Sequence, residues 1–182
     1  MAPTSRAERQ PVRHGDRHRG FTLVEIMIAL LILSVGLLGL AGLQANGLRQ
    51  NNNALQRTYA MIQAYDMAER MRANRTGVNA GAYTLAPSLG SPPDPGQYCT
   101  GAGADCSAAE LAAADVYEWW QQTNRLLPSG TGSIQPTPVA GGTGREWTVT
   151  VMWDEERTGA TGLNCGNDPA TDLKCYSFTF EP

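Results

Sequence analysis

Apolar residues run almost without interruption from Phe21 to Leu43, and the one charged side chain among them is Glu25. Eighteen residues, 26–43, carry no charge; at 1.5 Å per residue they make about 27 Å of helix, close to a bilayer's hydrocarbon thickness. This predicts one membrane span. Beyond it, Leu48, Leu55, Tyr59, Ile62, Tyr65 and Met71 recur at steps of three, four, six and seven. Those steps suit one helical face, with Arg49, Gln50, Arg57 and Arg70 largely elsewhere. The span is therefore expected to continue as an amphipathic helix to about residue 75, its first half in lipid and its second half pressing that apolar face on a soluble domain. Gly36, Gly39, Gly42 and Gly47 lie early in it. Each disfavours helix by about 1 kcal/mol relative to Ala, so bending or local melting is expected there.

Residues 76–106 are rich in Gly and Pro, with Pro87, Pro92, Pro93 and Pro95, and read as a long loop, ordered or partly disordered. Residues 107–127 read as a second helix: Ser107 with Glu110 fits a capping box, Val116, Trp119, Trp120 and Leu127 give an apolar side, and Pro128 and Gly130 stop it. In the Gly- and Pro-rich stretch 128–144, Ile134 is a candidate for a short strand. Next comes an alternation, with Trp147, Val149, Val151 and Trp153 facing one way and Thr148, Thr150 and Met152 the other. Tyr176, Phe178 and Phe180 repeat it. Two half-buried strands joined by a polar loop predict an antiparallel sheet with one face against a helix. The fold class expected is thus α+β.

Charge changes the picture at the N-terminus. Residues 1–20 hold Arg6, Arg9, Arg13, Arg17 and Arg19 against Glu8 and Asp16, a net +3, which leaves about −6 for the remainder of a chain whose total is −3. A basic end before an apolar span stays in the cytoplasm, and an acidic body without a basic patch argues against nucleic acid as a partner. Cys99, Cys106, Cys165 and Cys175 all fall beyond the span, on the side assigned to the periplasm or exterior, where thiols pair. Four cysteines allow three connectivities, and the sequence does not choose among them; the short loops Cys99 to Cys106 and Cys165 to Cys175 are the local expectation.

The order Gly20, Phe21, Thr22, Leu23, any residue, Glu25, behind a short basic leader and running into an apolar helix, resembles the class III signal of type IV pilins and pseudopilins. An ordinary secretory signal differs, because its cleavage discards the apolar region. The resemblance implies that a prepilin peptidase cuts between Gly20 and Phe21 and that Phe21 is N-methylated. It also implies the division 1–20 cleaved leader, 21–43 membrane half of the helix, 44–75 amphipathic half and 76–182 periplasmic globular domain, in a pilin-like fold.

A lone carboxylate costs roughly 2.5–3.5 kcal/mol at the centre of a membrane helix and less toward an end. The resemblance supplies a partner for Glu25: the new amine of Phe21, on the same or a neighbouring subunit, whose ordinary pKa is about 7.7. Phe21 and Glu25 are then an assembly charge pair that rewards axial register between bundled helices. The plainer alternative makes Glu25 the interfacial end of an ordinary signal anchor.

The stretches VGLLGLAGLQ at 35–44, AERMRANR at 68–75, LPSG at 127–130 and WTVTVMWD at 147–154 resemble the minor pilins called type IV pilus modification protein PilV. Gly42 stands where many major pilins carry a helix-kinking proline. The family resemblance implies a single-pass inner-membrane protein with a periplasmic C-terminal domain, taken up into a pilus. Its partners are then other major and minor pilins, prepilin peptidase, the inner-membrane pilus assembly machinery and membrane lipid, with no cofactor and no enzymatic turnover. A minor pseudopilin of type II secretion shares every feature up to about Leu43. A membrane-tethered periplasmic enzyme or binding module is the reading from another class.

Catalytic and metal chemistry has little to build on. His14 and His18, the two histidines, lie in the leader and are lost on processing, which leaves no Ser/His/Asp or Cys/His nucleophile and no histidine metal ligand. Asp154, Glu155, Glu156, Asp168 and Asp172 are oxygen donors of the kind calcium takes, but a solvated acidic loop is commoner and no EF-hand spacing occurs. Trp119 and Trp120 are read as core and rim of the second helix. Arg70, Arg72 and Arg75 are expected to face the last carbonyls of their own helix, with anionic lipid or a neighbouring subunit as alternatives. Asn74, Arg75 and Thr76 form an N-glycosylation sequon.

Overall fold

The computed structural model describes residues 20–100, 105–138, 145–166, 168 and 170–182; the basic leader, with its arginines and both histidines, lies outside the described residues. The element order is α1 (Leu23–Ala73), α2 (Arg75–Asn79), α3 (Ala108–Leu126), β1 (Thr131–Pro138), β2 (Arg145–Trp153) and β3 (Lys174–Phe180). The chain divides into a unit Met1–Asn46 and a unit Gly47–Pro182. It is α+β and pilin-like, with a long N-terminal helix, a shorter helix and a small antiparallel sheet.

In the first unit the helix is apolar all round and exposed along its whole described length. It is long and apolar enough to cross a membrane. Its backbone stays helical through Gly36, Gly39, Gly42 and Gly47, so the glycines, expected to favour melting, are accommodated without a break.

The second unit is built around a three-stranded meander in the order β1-β2-β3, both pairs antiparallel. The alternation in β2 does what period-two patterning predicts. Trp147, Val149, Val151 and Trp153 are buried together with Ile134, while Thr148, half-buried, and Thr150, buried at 8% exposure, lie on the opposite face. There they join a row of hydroxyls, Thr137 to Thr148 at 2.9 Å, Thr148 to Thr179 at 2.8 Å and Thr150 to Ser177 at 3.0 Å. Tyr176, Phe178 and Phe180 pack against the same core. Leu85 pairs its backbone with Ile134 (2.8 and 2.9 Å) and covers part of the outer edge of β1.

α3 begins as its sequence predicts. The Ser107 hydroxyl accepts from the Glu110 N–H (3.3 Å), and Glu110 returns a carboxylate oxygen to the Ser107 N–H (2.8 Å). These bonds hold the Glu110 carboxyl below its usual range. Trp119 is fully buried and donates its indole N–H to the Gln63 carbonyl of α1 (2.8 Å); Trp120, half-buried, donates to the Thr131 hydroxyl (3.2 Å). Core and rim are thus their places. Trp119 lies so close to β1 that Gly132 has no room for a side chain, since a methyl there would come within 2.5 Å of the ring.

The face that α1 buries differs from the expected one. Gln56, Ala60, Gln63, Ala64, Met67, Ala68 and Met71 are buried, whereas Leu48, Leu55, Ile62 and Tyr65 are 71%, 48%, 52% and 43% exposed. Of the predicted stripe only Met71 is buried and Tyr59 partly so. The physical reason is space. Ala60, Ala64 and Ala68, four residues apart, leave room beside the helix for Trp119, whose indole reaches the α1 backbone at Gln63. The stretch expected to be loop from 76 on also begins with a helix, the single turn α2.

Candidate functional site

The assembly residues expected from sequence lie at the start of α1. Thr22 caps the helix: its hydroxyl accepts from the Glu25 N–H (3.3 Å) and its carbonyl from the Ile26 N–H (3.2 Å). Thr22 and Glu25 are therefore an S/T-x-x-E start signature, which was present in the sequence and unused there. The cap fixes Glu25 in the first helical turn, where backbone N–H dipoles favour a carboxylate. Phe21, Glu25, Ile26, Ala29, Leu30 and Leu33 line one side of the helix. Gly20 and Phe21 precede the helix and are exposed, so the bond between them lies in accessible backbone outside regular structure. Among the described residues no cation lies within 4 Å of Glu25.

Elsewhere the candidate residues are tied up in packing. Cys99 is joined to Cys106 and Cys165 to Cys175, the two local pairings. The second closes the loop after β2 over a small cluster of Met152, Ala160 and Leu173. The five acidic residues of that region do not converge. Asp154 accepts from the backbone of Thr158 (3.1 Å) and Gly159 (2.8 Å), Asp172 accepts from the Asp168 N–H (2.9 Å), and Glu155 pairs with Arg57 (2.9 Å). Glu156 accepts from Asn53 (3.5 Å). Among the described residues no group of three or more His, Cys, Asp or Glu could hold a metal ion.

The arginines at the end of α1 do not turn to its carbonyls as expected. Arg70 bonds Asp66 (2.9 Å), Asp115 (3.1 Å) and Glu118 (3.3 Å); Arg72 pairs with Glu69 and stacks over Phe180; Arg75 donates to the Pro182 carbonyl (3.2 Å). For Arg70 and Arg72 the carbonyls lose the competition because carboxylates are in reach, and bonds between two charged groups are the stronger ones. Burial alone would lower Arg70, but the bonds and charges of Asp66 and Asp115 outweigh it and hold the guanidinium more firmly protonated.

Asn74, the sequon residue, is 7% exposed. It caps α2 by accepting from the Gly77 N–H (3.1 Å), and it donates to the Tyr83 hydroxyl (3.2 Å) and the Ala108 carbonyl (2.7 Å). Tyr83 in turn donates to Asp115 (2.6 Å). Burial, and then that bond, push its phenol well above its usual range.

Residues 15–41 match the model of the prokaryotic N-terminal methylation motif, and residues 42–117 match the Tt1218-like family model, described as type IV pilin Tt1218. The two matches adjoin, one ending and the other starting within α1. No curated protein and no solved structure matches the chain. The methylation motif and the type IV pilin segment support a membrane-anchored pilin, processed by a prepilin peptidase and assembling with other pilins, in a class of proteins whose role is structural.

Proposed function

We propose that this chain is a minor pilin of the type IV pilus system, of the PilV kind, without enzymatic activity. It is made as a prepilin, held in the inner membrane with its N-terminus cytoplasmic and its domain periplasmic, and incorporated into a fibre or used to prime one. The observation that carries this reading is the methylation motif opening directly into a capped, continuous helix. Outward apolar residues on that helix persist past the membrane stretch, at Leu48, Leu55 and Ile62. Spaced seven apart, these side chains form one apolar stripe, which suits cover by other helices. In this reading cleavage after Gly20 frees the amine of Phe21, which offsets Glu25 within lipid and sets the register of neighbouring helices.

N-terminal mass spectrometry of the mature protein is the direct test. A chain beginning with N-methylated Phe21 is expected; one beginning at Met1, or downstream of the apolar segment, overturns the reading. Glu25→Ala is expected to leave membrane insertion and the melting of the domain intact while impairing recovery in sheared fibres, and normal recovery refutes the charge pair. The pilin match over 42–117 favours the pilus over type II secretion. Deleting the gene should therefore impair surface fibres and leave exoprotein secretion unchanged.

A further inference from the structure

Two borders of α1 within the second unit carry opposite character. At 100° per residue, Arg57 and Met61 fall on one margin of the buried face and Asp66 and Arg70 on the other. Beside the first margin lies a groove of about 420 Å³ walled by Arg57, Met61, Trp153, Lys174, Cys175 and Tyr176. Trp153 is 2% exposed and forms the floor of the groove; among the described residues its buried indole N–H has no acceptor. Arg57 is matched by Glu155, but among the described residues Lys174 has no carboxylate within 4 Å. The groove is thus largely apolar walled, with one cation, Lys174, unmatched among the described residues. Along the second margin Asp66, Asp115 and Glu118 share the single guanidinium of Arg70, an excess of two negative charges, and the side chains of Asp66 and Glu118 remain 38% and 30% exposed.

We propose that the groove beside Trp153 receives the acidic margin around Arg70 of a second copy of this chain, with Lys174 pairing with Asp66 and Glu118 of that copy. The charges are complementary, an unpaired ammonium on one side and an excess of carboxylates on the other. Because the two margins are different surfaces, the contact is head to tail. It does not close on itself, and repeated it extends a row of subunits. The inference rests on the reading of the chain as a fibre subunit and names the surfaces by which its domains meet.

Lys174 is the single lysine of the sequence, which makes the test specific. Two differently tagged copies of the full chain are co-expressed, and membranes are treated with a water-soluble carbodiimide, which joins an amine to a carboxylate in contact. A covalent dimer carrying both tags, with Lys174 joined to Asp66 or Glu118 of the other copy, is expected. Lys174→Arg keeps the charge and should reduce the dimer at least tenfold, as should Asp66→Asn with Glu118→Gln in chains whose melting is otherwise near normal. A dimer that survives Lys174→Arg, a lysine product confined to one chain or formed with a different protein, or no dimer at all overturns the proposal. The N-terminus is read in the same samples. Methylated Phe21 without the Lys174 product sinks this contact alone, whereas an unprocessed N-terminus sinks the pilin reading.

Discussion

Gly132 is the position where a single methyl should do the most damage. In β1 it stands opposite Val151, and an added Cβ would lie 2.5 Å from the Thr150 carbonyl oxygen and 2.5 Å from Cη2 of Trp119. Neither neighbour has room to retreat: one is backbone of the central strand, the other a fully buried ring anchored by its bond to Gln63. Overpacking costs about 1–3 kcal/mol, and two unyielding neighbours place Gly132→Ala near the top of that range. Restricting the unfolded chain returns roughly 0.4–1 kcal/mol. The net expectation is a loss of about 2 kcal/mol, or a Tm lower by roughly 8 °C for a unit of this size. Thermal melting of the full chain in detergent, followed by near-UV circular dichroism of the tryptophans, reads it. Trp119→Phe removes the outer part of the ring and the indole bond, and by itself costs about 2–3 kcal/mol. In that background the new methyl gains space, so the double variant should be more stable than the sum of the single losses by about 1 kcal/mol. An unchanged Tm for Gly132→Ala, or strict additivity in the cycle, would refute the claim that ring and strand backbone are in enforced contact.

Two further outcomes follow from the same unit. Because the Tyr83 phenol is raised in the folded chain, its contribution is fully present below the ordinary tyrosine pKa of about 10 and is lost as pH rises above that value; melting from pH 8 to 11.5 should fall more steeply for the native chain than for Tyr83→Phe. Replacing Cys165 and Cys175 together by Ser opens a loop with a sequence separation of 10 and should cost about 3 kcal/mol in denaturant melts, with proteolysis first appearing between residues 154 and 173.

β2, β3 and α3 were legible in the sequence from their apolar patterning, whereas β1, eight residues long within a Gly- and Pro-rich stretch, showed only as a short candidate at Ile134. Trp147, Val149, Val151 and Trp153 leave no other arrangement for a strand, and Ser107 with Glu110 marks the start of α3 by local chemistry alone. The inner face of α1 was not legible. Periodicity finds an apolar stripe but does not say what covers it, and here Leu55 and Ile62 belong to the outside while Gln56, Gln63 and three alanines face the core. The seat of Trp119 against the α1 backbone selects for small volume beside it, and hydropathy does not measure that. α2 has only five residues, too few for a period, and its capping residue Asn74 read first as a sequon. At the candidate site the residues proposed for cleavage and charge pairing stand in the sequence as an ordered string, whereas the groove at Lys174 joins residues more than 110 positions apart and has no linear signature.

The place of Asn74 bears on how any carbohydrate there should be interpreted. Its amide already serves three neighbours beneath the surface, so a transferase that works on finished proteins finds nothing to grip. A sugar at this position would act as a timestamp, marking chains that met the enzyme before the second unit had taken shape, and such chains should lack α2.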